Sequence, residues 1–244
     1  MPTLPILLWY KRVWSVKLDT ANIHFNFVLI IILSYAKIYR PVVIQEEERV
    51  LMNNKTDSRE KMIEAAAKLF QLQGFHATGL NEILRESHSP KGSLYYYFPN
   101  GKEELALSAI ELASNIIQSK IKASLSIHSD PILAIQNVIK DMEIAIEKDG
   151  KLQDVSLSLL ALETYLSSEL LREACKASFA SLENIYAEKL IESGICPQTA
   201  QNLGMVIQAM IEGAITISIT KKDTTTLSAV AEQISVIISQ YNSA

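Results

Sequence analysis

Lys91, Gly92, Ser93, Tyr95, Tyr96 and Tyr97 crowd into the stretch "KGSLYYY", and Lys102 follows after "FPNG". Each polar side chain in this set can donate a hydrogen bond at neutral pH: two ammonium groups, one aliphatic hydroxyl and three phenols. None is a carboxylate. Such a set suits a partner rich in oxygen acceptors, with phosphates for the cations and hydroxyls and base edges within reach of the same groups. Gly92 adds room for close backbone approach. Chemistry of other kinds has little to rest on. The four histidines (His24, His76, His88, His128) are scattered and form no HExxH or similar metal spacing, and GxSxG, P-loop and GxGxxG patterns do not occur. No catalytic residues, cofactor or metal ligands are therefore expected. Cys175 and Cys196 are too few for a disulfide framework, which favours a reducing cytoplasm.

The elements around this stretch must hold it outward. On a helical wheel with Leu94 at zero, Phe98 falls at about 40°, Gly92 at about 160° and Tyr96 at about 200°. Leu94 and Phe98 therefore share a buried side, and Gly92, Ser93, Tyr95 and Tyr96 lie on or beside the opposite one, with Lys91 at the amino end. An aromatic-rich core helix is the alternative. It requires burial of three successive tyrosines that point about 100° apart. Upstream, Met62, Ile63, Ala66, Leu69 and Phe70 recur at helical steps. Gly74 is placed to end that helix, and Thr78 to cap a short second one through Leu80, Ile83 and Leu84. After the break at His88-Ser89-Pro90, Ser89 is the expected cap of the third helix and Pro90 its first residue. Two short helices joined by a tight turn, with a third packed beneath, describe a helix-turn-helix.

The segment "GFHATGLNEILRESHSPKGSLYYYFPNGKEEL" resembles the DNA-binding domain of TetR-family (tetracycline-repressor-type) transcriptional regulators. Thr78, Lys91, Gly92, Ser93, Leu94, Tyr95, Phe98, Lys102 and Leu105 carry the likeness. The wording "PKGSLYYYFPNGKEELA" is similar to the subgroup of lincomycin-resistance repressors of Gram-positive bacteria. The resemblance implies that Thr78, Tyr95, Tyr97 and Lys102 hold phosphates, with Lys91, Gly92, Ser93 and Tyr96 nearest the bases. It implies a homodimer on a palindromic double-stranded operator, with reading helices about 34–36 Å apart. Two departures stand out. The family's turn glycine is His88 here, at a position needing positive φ, and its histidine before the phenylalanine is Tyr97.

Charge divides along the chain. Residues 52–102 carry seven Lys+Arg against five Asp+Glu, a net of +2, whereas residues 103–244 carry ten against eighteen, a net of −8. The overall charge of −4 thus hides a basic part joined to an acidic one. Beyond Lys102 the pattern is helical throughout, with breaks at Ser129-Asp130-Pro131, Asp149-Gly150, Ser167-Ser168, Gly194 to Pro197 and Lys221 to Thr225. The expected fold is all-α, with about nine helices: three short ones forming a DNA-binding domain over 52–105, then a larger helical effector-binding and dimerisation domain over 106–244. Leu162, Glu163, Tyr165, Leu166, Phe179, Tyr186 and Gln208 are the candidate lining of an effector pocket, although an ordinary core would show the same residues. The resemblance implies a small hydrophobic or aromatic effector. The last two helices have broad apolar faces that form a dimer interface in this family; closure of the monomer core is the alternative. Gly204 and Gly213 within one helix call for close packing there.

Residues 1–51 read differently. The apolar stretch from Ile23 to Ala36 spans 14 residues and is interrupted by His24 and Asn26, short of the ~20 needed to cross a bilayer. It begins too far in for a signal peptide, and no small-residue cleavage site follows. Glu46, Glu47 and Glu48 require purine-rich codons three codons ahead of Met52, as a ribosome-binding site read in frame would. The expectation is translation from Met52, with an interfacial N-terminal extension or a spanning helix as the alternatives. Three functions follow: a ligand-responsive repressor, a DNA-binding regulator without effector control, or a membrane-tethered regulator should residues 1–51 be genuine.

Overall fold

Helical periodicity becomes nine helices among the described residues, which are 58–149 and 157–241 of the computed structural model. The reading of residues 1–51 lies outside them. Helix α1 covers 58–73, α2 Leu80–Glu86, α3 Lys91–Tyr97, α4 Lys102–Leu125 and α5 Pro131–Asp149. Then come α6 Ser158–Thr164, α7 Glu169–Glu192, α8 Pro197–Lys221 and α9 Thr225–Ser239. The proline and serine breaks mark the helix starts as read, and the alternating "AITISIT" lies inside α8. One difference is α6. Three short helices were followed by six longer ones in the sequence reading, yet α6 has only seven residues.

The first three helices pack through the apolar residues the spacing selected. Met62, Ile63, Ala66, Leu69 and Phe70 of α1, Ile83 of α2, and Leu94 and Phe98 around α3 are all buried. Helix α4 begins beneath them with Leu105 and Ala106 and continues for 24 residues, about 36 Å. The domain boundary expected at 105/106 falls inside this continuous helix, so the two halves share a rigid element. In the second half, α7 packs on α8, α4 on α7, and α9 on both α8 and α5. Gly204 explains the tightest approach. A methyl group there would collide with the Glu183 carbonyl and lie 3.2 Å from the Ala187 side chain. Gly213 has no such neighbour among the described residues. Helix α8 is also long and apolar enough, by composition alone, to cross a membrane. Here Leu203, Ile207, Ile211, Ala214 and Ile215 are instead buried in the core.

Three turn details matter for the site. Helix α1 ends at Gly74, φ 87°, whose N–H donates to the Phe70 carbonyl at 3.0 Å. Helix α2 ends in a Schellman motif: Ser89 N–H donates to Leu84 O at 3.1 Å and His88 N–H to Arg85 O at 3.3 Å. That motif places His88 at φ 52°, the left-handed conformation its position required. The caps differ from the sequence reading. Gly79, not Thr78, precedes α2, and Pro90, not Ser89, precedes α3. The Ser89 hydroxyl donates back to the Ser87 carbonyl at 3.3 Å, so the turn's own geometry outcompetes the cap.

His88→Gly should leave stability unchanged or raise it by up to about 1 kcal/mol in chemical denaturation, because glycine removes the cost of positive φ. A clear loss would reveal a His88 contact that the turn depends on. Gly204→Ala should cost about 1–3 kcal/mol by the same measurement, through overpacking of α7 against α8.

Candidate nucleic-acid interface

Helix α3 is seven residues long, contains Gly92, and lies between Pro90 and Pro99. Alone it would not persist, since so short a helix cannot offset its nucleation cost. Two side chains hold it. Leu94 and Phe98 are 0% and 1% exposed, one turn apart on the side facing α1 and α4. The Phe98 N–H closes the helix on Leu94 O at 2.8 Å, and the Arg59 guanidinium lies 5.5 Å from the Phe98 ring centroid. Once this pair is buried, rotation about the helix axis is decided. Lys91 and Gly92 are exposed, as are Tyr95 and Tyr96 at 53% and 68%, and Ser93 is half-exposed.

Tyr97 behaves differently from its neighbours. It is half-buried against the core, and its ring meets Tyr96 edge-on with centroids 4.8 Å apart. Desolvation, and then Tyr96, push its phenol pKa above the usual value, so it remains a donor at neutral pH. Lys102 opens α4 half-buried, with its ammonium over the Phe75 ring at 4.3 Å and donating to the Phe75 carbonyl. Burial depresses its pKa from the ordinary lysine value, and the Glu163 carboxylate opposes that shift. One of its donors is thus used inside the protein.

Thr78 requires a correction. It is 1% exposed, its hydroxyl donates to the Gly74 carbonyl at 2.7 Å, and it accepts from Gln73 at 3.3 Å. The hydroxyl closes the end of α1 and does not face outward.

The expected effector residues separate. Leu162, Tyr165 and Leu166 are 68%, 53% and 83% exposed, so they do not line an interior. The short α6 fully buries Leu160 and Thr164, which leaves Leu162 on its far side and Tyr165 and Leu166 beyond its end. Glu163 is occupied at the α1–α2 turn: the His76 N–H donates to Glu163 Oε2 at 3.0 Å. Phe179 is partly buried against the core. Tyr186 and Gln208 are buried, at 0% and 4%.

Two polar residues that sequence reasoning missed join this pair. Gln208 Nε2 donates to Glu212 Oε1 at 2.9 Å, and Ser158 Oγ donates to Glu212 Oε2 at 2.5 Å. Desolvation and the Glu212 charge push the Tyr186 phenol pKa far upward, and its hydroxyl has no hydrogen-bond partner. Glu212, the single acid of α8 and four residues after Gln208, was the available signal.

A donor-rich helix face, held outward by a buried Leu-Phe pair behind a left-handed turn, defines a helix-turn-helix DNA-binding protein. Residues 62–109 match the bacterial regulatory proteins of the tetR family, and residues 131–233 match the C-terminal domain of LmrA/YxaF-like transcriptional regulators. The chain is 47% identical over 187 residues to the HTH-type transcriptional regulator YxaF of Bacillus subtilis, covering 77% of this chain and 98% of the relative. It is 43% identical over 171 residues to the HTH-type transcriptional regulator LmrA of the same organism, covering 70% and 91%. Its fold matches that of the regulatory protein TetR from Rhodobacter sphaeroides, with a TM-score of 0.64 at 19% identity over 73% of this chain and 97% of the other. The chain belongs to the TetR family, whose members are transcriptional regulators rather than enzymes and bind DNA operators as dimers.

Tyr96→Ala should leave the melting temperature near wild type and cost about 1–3 kcal/mol in operator binding, the scale of a good base-edge contact. Leu94→Ala should instead cost about 2–5 kcal/mol of stability. Thermal melts and DNA titrations at fixed salt check both. A Tyr96→Ala protein that melts early with normal residual affinity would mean that α3 is rotated from this placement.

Proposed function

We propose that this protein is a ligand-responsive repressor. Its homodimer holds a palindromic operator through two α3 helices and lets go when a small hydrophobic or aromatic effector enters the regulatory half. In this reading residues 52–105 read DNA and residues 106–244 bind effector and partner. Tyr95, Tyr97 and Lys102 hold phosphates, while Lys91, Gly92, Ser93 and Tyr96 lie nearest the bases. The protein works in the cytoplasm, with its operator.

The observation that carries the effector reading is the Tyr186 hydroxyl, wholly buried and unpartnered beside Glu212. Burying such a group unsatisfied costs about 1–3 kcal/mol. A bound molecule with a polar atom at that point would recover the bond, and Leu182, Ile207 and Ile211, buried on the same two helices, suit an apolar body. Tyr186→Phe should therefore keep or slightly raise stability while weakening the effector's hold. Footprinting on the DNA flanking the protein's own gene, with and without a compound library, tests the reading. Failure of every compound to release the DNA would favour a regulator without effector control.

The dimer reading rests on α8. Val206, Ala209, Gly213 and Ile217 follow one another at three- and four-residue steps, and all four are exposed. Ile217→Glu should yield a folded monomer in sedimentation and reduce operator affinity about a hundredfold or more, through loss of two-site binding. An Ile217→Glu protein that remains dimeric would place the interface elsewhere.

A further inference from the structure

We infer that Glu163 is a positioning residue for DNA reading: from α6 in the regulatory half, it grips the α1–α2 turn and sets how the helix-turn-helix is presented. The grip has two points. Glu163 Oε2 accepts the His76 backbone N–H at 3.0 Å, and the Glu163 carbonyl accepts His76 Nε2 at 3.1 Å. A carbonyl can only accept, so that ring nitrogen carries the proton. Residues 87 positions apart are thus joined by main chain and side chain at both ends.

The turn is shaped to receive the carboxylate. A methyl group on Gly74 would lie 2.5 Å from Glu163 Cδ and Oε2, and Gly74 has φ 87°. Any other residue there would be strained and would displace the carboxylate. On the other side, Lys102 of α4 donates to the Phe75 carbonyl and covers its ring, and Glu163 acts electrostatically on the same ammonium. The turn between α1 and α2 is thereby clamped between α4 and α6. A second tie lies nearby: the Ser168 hydroxyl, which caps α7, donates to the Glu103 carboxylate at the start of α4.

These bonds are near the surface, where a hydrogen bond adds little to stability. Their effect is geometric. The turn leads directly through the buried Thr78 into α2 and α3, so a change in its seating tilts α3. Two reading helices must meet grooves about 34–36 Å apart, so a tilt in each changes the half-site spacing that fits.

The inference rests on the dimeric reading above. The test uses the intact protein with duplexes selected from a randomised DNA pool, then re-spaced between half-sites by one base pair either way. Wild type should prefer one spacing. Glu163→Ala should lose about tenfold on the best duplex and flatten the preference, while remaining folded and dimeric in sedimentation. Glu163→Gln, which retains the acceptor oxygen, should restore the wild-type profile. Gly74→Ala should flatten the preference as Glu163→Ala does, and the double variant should be no flatter than either single one. A Glu163→Ala protein with the wild-type spacing profile overturns the inference, even if its melting temperature falls. So does one that fails to fold, which would make Glu163 a structural support, or flattening that adds in the double variant. A monomeric wild type would overturn the dimeric reading and this inference together, whereas a dimeric wild type whose preference survives Glu163→Ala overturns this inference alone.

Discussion

Everything that α3 presents depends on the burial of Leu94 and Phe98. The helix is too short to be stable by its own hydrogen bonds and carries a glycine in its first turn. Its existence and its rotation both come from two apolar side chains one turn apart, inserted into the core. With these fixed, 100° steps decide that Tyr95 and Tyr96 stand in solvent while Tyr97 leans on the core. Three chemically identical residues thus acquire different exposure, and in the proposed interface different roles. The donors most exposed to a groove are those farthest from the buried pair.

The same reasoning extends to how that face is carried. Helix α4 runs uninterrupted from beneath α3 into the regulatory half, so the two parts meet through a stiff rod rather than a linker. The second junction is more delicate. A glycine turn, a lysine and a glutamate meet where α1, α4 and α6 come together, and the glutamate fits because Gly74 has no side chain. Helix α6 makes two long-range contacts: Ser158 at its start bonds half-buried Glu212, and Glu163 near its end bonds the turn. A rearrangement at the first contact has a seven-residue helix through which to reach the second.

The regulatory half is mostly an apolar helical core, which makes its polar exceptions informative. Tyr186, Gln208, Glu212 and Ser158 converge from α6, α7 and α8. In a low-dielectric interior an unpaired hydroxyl and a nearby carboxylate are costly. At the surface, the open apolar stripe on α8 has Gly213 at its centre, and a methyl group there would meet nothing within 4 Å among the described residues.

Local pattern alone determined a good deal. Helical periodicity identified the long helices and their proline and serine breaks, because those signals depend only on neighbours in the chain. The wheel placed Leu94 inside and Tyr96 outside, since that follows from backbone geometry over a few residues, and the resemblance to the family, whose turn glycine is His88 here, implied positive φ at that position. The tertiary structure decided the rest. Thr78 looked like a cap and a phosphate ligand, yet the end of α1 takes its hydroxyl. Leu162, Tyr165 and Leu166 had the composition of a pocket wall but lie outside, because α6 buries its other side through Leu160 and Thr164 and ends before Tyr165. Glu163 had been grouped with them, and its true partner, His76, is distant in sequence. Whether an apolar or charged residue lines a site, packs a core or bridges two halves depends on what long-range folding sets opposite it, and periodicity within one helix carries no record of that.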